Sequence, residues 1–114
     1  MEFDEIFQKL SSLNIPVAYL KFNKPQQLPF MVYFESSADI QGADTYNLYR
    51  QVQITVELYT AQKSPSLERR LENLFRDRPL TKTADAFLDD EKMFVTSYIF
   101  EVIQYMDDTF GIEL

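Results

Sequence analysis

The fifteen residues Tyr46–Thr60, YNLYRQVQITVELYT, decide the fold. Leu48, Val52, Ile54, Val56 and Leu58 fall on one parity, and Tyr49, Gln51, Gln53, Thr55, Glu57 and Tyr59 on the other. A period of two places successive side chains on opposite faces of a strand, so one face of this segment meets a core. The stretch is long for a strand, which predicts that it projects past its neighbours as one leg of a hairpin arm. Arg50 interrupts the apolar parity near the expected tip.

The other leg lies upstream. Pro29 leads into Phe30, Met31, Val32, Tyr33 and Phe34, a continuous run of strand formers too short for a typical helix. Between Glu35 and Tyr46 the stretch SSADIQGADT supplies turn-forming Ser, Asp and Gly and predicts a loop joining the two strands. Ile15, Val17 and Tyr19 alternate as a short first strand, which KFNKPQQ interrupts. Ahead of it, Phe3, Ile6, Phe7, Leu10 and Leu13 recur at three- and four-residue steps, predicting an amphipathic helix over about 2–13. Asn14 tolerates the left-handed conformation that ends helices, and Pro16 disfavours helical geometry at Ile15.

Downstream, Ser64 before Pro65 matches a helix start. A helix is expected from there to about Arg76, with Leu67, Leu71, Leu74 and Phe75 as its buried stripe and Glu72 spaced to pair with Arg76. Leu80–Leu88 reads as a weakly patterned strand, Asp89–Lys92 as a turn, and Met93–Tyr105 as a long strand with apolar residues on both faces. That last strand should sit mid-sheet or under a helix. The following MDDTFGIEL either extends it or docks on a neighbour. The order α-β-β-β-α-β-β predicts one α+β domain over 1–114, with an antiparallel or mixed sheet of about five strands packed by two helices.

Composition narrows the chemistry. With 114 residues, 46% of them hydrophobic and only two glycines, a single well-packed core is expected. The absence of cysteine and histidine excludes disulfides, thiolate nucleophiles, the usual zinc sites and imidazole acid-base catalysis. Gly42 and Gly111 are too few and too far apart to build a phosphate-cradling loop. The acidic runs Asp89, Asp90, Glu91 and Asp107, Asp108 lack calcium-loop spacing and read as solvated turns. Most aromatic residues fall at core positions, with Tyr33, Tyr49 and Tyr59 as the exceptions that could stack on a ligand. No catalytic residue, cofactor or metal is expected.

The N-terminus MEFDEIF is acidic where a secretion signal would be basic, and no apolar run approaches the ~20 residues that span a bilayer, so a soluble chain is expected. A formal charge of -7 repels phosphate backbones and anionic lipid, which leaves proteins as the expected partners. That charge is uneven: -3 over residues 1–62, +3 over 63–82 and -7 over 83–114. Neutralisation within one monomer and complementarity between adjacent subunits both account for the separation, and the second suits a head-to-tail ring.

The stretches NIPVAYLKFNKPQQLPFMVYF, GADTYNLYRQVQITVELYT, SPSLERRLENLF and FLDDEKMFVTSYIFEV together resemble the tail-terminator or head-tail joining (tail completion) proteins encoded between head and tail genes in phages and prophages of Gram-positive bacteria. The resemblance covers nearly the whole chain and rests on pattern and element order, with LPFMVYF, GAD and ELYT as its most specific pieces. It implies a non-enzymatic α+β subunit of the virion neck, assembled in the bacterial cytoplasm. Such subunits commonly form a hexameric ring that caps the tail tube, meets the head connector and lets DNA pass through without binding it specifically. It further implies contact elements in the loop from Ser36 to Asp44 and the arm around Tyr46 to Arg50. The interface candidates are then Asp44, Tyr46, Tyr49 and Arg50 on the arm, Arg69, Arg70 and Arg76 on the basic helix, and Asp89, Asp90 and Glu91 in the acidic turn. The competing readings are another minor capsid or tail component and a small regulatory protein-binding domain.

Overall fold

A computed structural model describes residues 1–43 and 46–105. The element order is α1 (Phe3–Ser11), β1 (Val17–Tyr19), β2 (Phe30–Ala43), β3 (Tyr46–Thr60), α2 (Pro65–Leu74), β4 (Thr81–Leu88) and β5 (Met93–Tyr105). The fold is α+β, a five-stranded sheet in the order β1-β2-β3-β5-β4 with two helices. β1 runs parallel to β2 and every other neighbour is antiparallel, so the sheet is mixed. β5 lies between β3 and β4, which is why both of its faces carry apolar residues.

The alternation in β3 works as expected. Val52, Ile54, Val56 and Leu58 are fully buried, and they share one core with Ile6 and Leu10 of α1, Met31 and Tyr33 of β2, Leu71 of α2, and Tyr98, Phe100 and Val102 of β5. Each such side chain contributes about 1.5–3 kcal/mol through its removal from water. The helix ends follow local chemistry. The Ser64 hydroxyl accepts from the Leu67 N–H at 3.4 Å with Pro65 at the first helical position, and Asn14 takes φ 62 just past α1.

Two expectations fail. The stretch from Ser36 to Ala43 is strand, not loop: β2 continues to Ala43 and keeps pairing with β3 through Ala38↔Val52, Asp39↔Gln51 and Ile40↔Arg50. Register shifts between Glu35 and Ser37 and between Gln41 and Gly42 absorb the residues that looked like turn formers. The serines bond across the ladder, Ser36 Oγ donating to the Gln53 carbonyl at 3.0 Å and Ser37 Oγ to Gln53 Oε1 at 3.1 Å. The expected contact loop therefore shrinks to the tip, where Asp44 lies outside the described residues. The second failure is the end of α2. Phe75 leaves helical geometry (φ -117, ψ 26), so Arg76 lies beyond the last turn, and Glu72 instead accepts from the Tyr98 hydroxyl at 2.6 Å.

The arm lengthens the molecule. The radius of gyration is 16.1 Å and the extents are 50 × 30 × 25 Å, whereas a compact domain of this length has a radius of about 13 Å.

Candidate functional site

The distal half of the sheet is a three-stranded arm of β2 beyond Glu35, β3 before Gln53 and the end of β5. β1 pairs only with Met31, Val32 and Tyr33, so among the described residues no strand covers the outer edge of β2 from Ser36 to Ala43. The eight residues of β4 form the opposite margin of the sheet, and their outer edge is also unpaired. Unpaired strand edges present rows of free N–H and C=O groups that accept another chain. Ile40, Ile103 and Tyr105 expose apolar surface on the arm, Tyr105 at 67%.

Arg50 holds the arm in register. Its guanidinium donates to Glu35 Oε1 on β2 at 2.6 Å and to Gln104 Oε1 on β5 at 2.8 Å, tying three strands together. The interruption of the apolar parity is thus an internal clamp, a charge-assisted pair with both ends half-buried. Tyr49 stands opposite Tyr105, ring centroids 6.4 Å apart. Tyr46 opens β3 opposite Ala43 at the tip.

The remaining candidates lie elsewhere. Arg69, Arg70 and Arg76 are exposed on and just beyond α2, and Asp89, Asp90 and Glu91 are exposed in the β4–β5 turn. None of the six forms an ion pair among the described residues. Along β5 the acidic turn and the arm are separated by the twelve steps from Met93 to Tyr105, roughly 40 Å of strand. The structure therefore divides the candidates among the arm, one helix face and one turn.

Sequence reasoning missed a charge cluster where α2 meets β4. Glu68, 7% exposed, binds Lys63 at 2.7 Å and Lys82 at 3.0 Å. Lys63 also pairs with Asp85 and donates to Thr96 Oγ1 at 3.0 Å. Part of the segmental charge separation is thus neutralised inside the protomer. Desolvation alone raises the Glu68 carboxyl, but the hydrogen bonds from Lys63 and Lys82 outweigh it and hold the group below its ordinary value. The Lys63 hydrogen bond, against a smaller desolvation effect, does the same to Asp85.

A carboxyl more acidic in the folded than in the unfolded chain favours folding only while it is ionised. The Glu68 contribution is complete above 4.5, its ordinary value, and disappears as pH falls from there through the depressed native value. Glu68→Gln is expected to lower unfolding free energy by about 2 kcal/mol at neutral pH, between the values typical of exposed and buried pairs. The difference from wild type should shrink as urea titrations move below pH 4.5; a constant difference across that range would refute the ionic origin.

Among the described residues no group of three Asp or Glu side chains is placed to hold a metal ion, and no helix is long and apolar enough to cross a membrane. What the arrangement offers is surface for assembly: a stiffened arm, two open edges and separated charge. No family model matches the chain, and no curated protein does. The functional reading accordingly rests on these surfaces and on the resemblance carried by the sequence.

Proposed function

We propose that this protein is a non-enzymatic structural subunit of a bacteriophage neck, a tail terminator or head-tail joining protein that caps the tail tube and connects it to the head as a ring. The observation that carries the reading is the pair of unpaired strand edges on opposite margins of one sheet, β2 from Ser36 to Ala43 and β4 from Thr81 to Leu88. Head-to-tail rings need two different patches on each subunit, and two opposite edges supply them. The exposed Arg69, Arg70 and Arg76 and the exposed Asp89, Asp90 and Glu91 add opposite charges that steer docking and reject wrong registers. The resemblance to tail-completion proteins supplies the biological setting. A net charge of -7 suits a passage through which DNA must slide without adhering.

The test is genetic. Deleting the coding sequence from a lysogen that carries it, then inducing the prophage, is expected to yield filled heads and separate tails by electron microscopy, with infectivity restored by the gene in trans. Normal infectious particles from the deletion strain would reject the proposal. Joined particles with a defect confined to the capsid or tail shaft would move the protein to another virion position.

A further inference from the structure

At the end of the sheet away from the arm, the β1–β2 connection (residues 20–29) folds over the sheet face opposite the buried core. There it walls a groove of about 600 Å³ whose apolar lining is Phe22, Phe30, Val32, Tyr59, Leu88 and Met93. The floor is aromatic: Phe30 stacks on Tyr59 at 5.0 Å, and Phe22 meets Phe30 edge-on at 5.6 Å. Burial, with the hydrogen bond to Glu57, pushes the Tyr59 phenol up to about 12, so the floor stays uncharged at neutral pH. Lys21 and Lys24 are exposed on the connection wall and form no ion pair among the described residues. Glu91 lines the groove too, beside Leu88 and Met93.

The chain carries a segment of matching chemistry directly after β5. Asp107 and Asp108 are followed by Phe110 and Ile112, an acidic pair ahead of two apolar anchors. That segment cannot deliver Phe110 to the groove of its own protomer. Phe110 lies five residues beyond Tyr105 and reaches at most about 17 Å from it. Tyr59 on the groove floor is level with Val95, ten residues back along β5, or about 33 Å away. Only the groove of another copy is within reach.

We infer that Asp107–Ile112 of one copy docks in this groove of a second copy, Phe110 and Ile112 against Phe22, Phe30 and Tyr59, Asp107 and Asp108 facing Lys21 and Lys24. The anchors supply the affinity and the charges the orientation, with Glu91 disfavouring the reversed seating. Because the donor segment and the acceptor groove are different surfaces, the contact is head-to-tail. The inference concerns the purified chain and does not rest on a virion role.

Two variants separate donor from acceptor. Phe110→Ala/Ile112→Ala keeps the groove and loses the anchors; Phe22→Ala keeps the segment and narrows the groove lining. A fluorescent peptide of residues 104–114 should bind the first variant, and in anisotropy titrations its binding should weaken about tenfold or more when Phe22→Ala is added. In sedimentation velocity each variant alone should stay monomeric, whereas an equimolar mixture should form dimers that grow no further. The exposed pair Lys21→Glu/Lys24→Glu carries the same test should Phe22→Ala lose its native circular dichroism. A peptide that does not bind, that binds groove variants equally well, or a mixture that stays monomeric overturns the inference. Failure here would leave the induced-lysogen result untouched, and the reverse also holds.

Discussion

Phe75→Ala is expected to lower the unfolding free energy by about 4 kcal/mol, which for a domain of this size corresponds to a fall in melting temperature of about 20 °C. Phe75 is fully buried and stacks on Phe100 with centroids 4.3 Å apart and planes 25° from parallel. It caps α2, so one ring both fills the core and fastens the end of the helix to β5. Truncation to alanine removes the transfer term and leaves a cavity that Leu71 and Phe100 can close only in part. Phe75→Leu keeps most of the volume and should cost under about 1.5 kcal/mol. Urea unfolding followed by circular dichroism measures both. An alanine loss no larger than the leucine loss would mean that α2 is held by its other contacts. Total stability is expected near 10 kcal/mol, so the variant folds and can be measured.

The parts of this fold that were legible in the sequence are those where a single face is buried. β3 shows it most clearly, because Val52, Ile54, Val56 and Leu58 meet the core while Gln51, Gln53 and Glu57 do not. The bounds of β5 were readable for the same reason, and its apolar residues on both faces placed it between two strands. Ser36–Ala43 was misread because its local chemistry is that of a turn. Pairing with β3 and side-chain bonds to Gln53 outweigh that preference, and such tertiary override leaves no periodic signal. The parallel pairing of β1 with β2 was also hidden, since a three-residue strand carries too little pattern to state its direction.

The candidate surfaces were legible in part. Arg50 was visible as a break in an apolar parity, yet its partners Glu35 and Gln104 lie 15 and 54 residues away. Glu68 was equally opaque: it sits in a helix otherwise read as basic and closes onto Lys82 of β4 across 14 residues. The exposed apolar groups of the arm, Ile40, Ile103 and Tyr105, gave no signal, because a residue on a strand edge and one on a covered face have the same composition.

Shortening the arm should separate assembly from folding, on the reading that this protein joins subunits in a virion neck. Ile40 and Arg50 face each other on β2 and β3, so replacing 41–49 with Asn-Gly closes the ladder through a two-residue turn suited to the strand twist. The change removes Asp44, Tyr46 and Tyr49 together with the outermost free edge of β2, but keeps Arg50 with Glu35 and Gln104. The core begins inward at Val52 and is untouched. The urea midpoint should therefore stay close to wild type, a difference of about 1 kcal/mol or less, because only half-exposed contacts such as Tyr49 with Tyr105 are lost. Supplied in trans to the induced deletion lysogen, the shortened chain should leave infectivity at least about a hundredfold below that restored by the full arm, as expected when an interface loses its central anchors. Arg50→Ala offers the contrast: it keeps every tip residue but frees the clamp, so it should cost stability more than the shortened arm does and assembly less. Full rescue by the shortened chain would assign the contact to the edge of β4 or to α2 and remove the arm from the assembly reading.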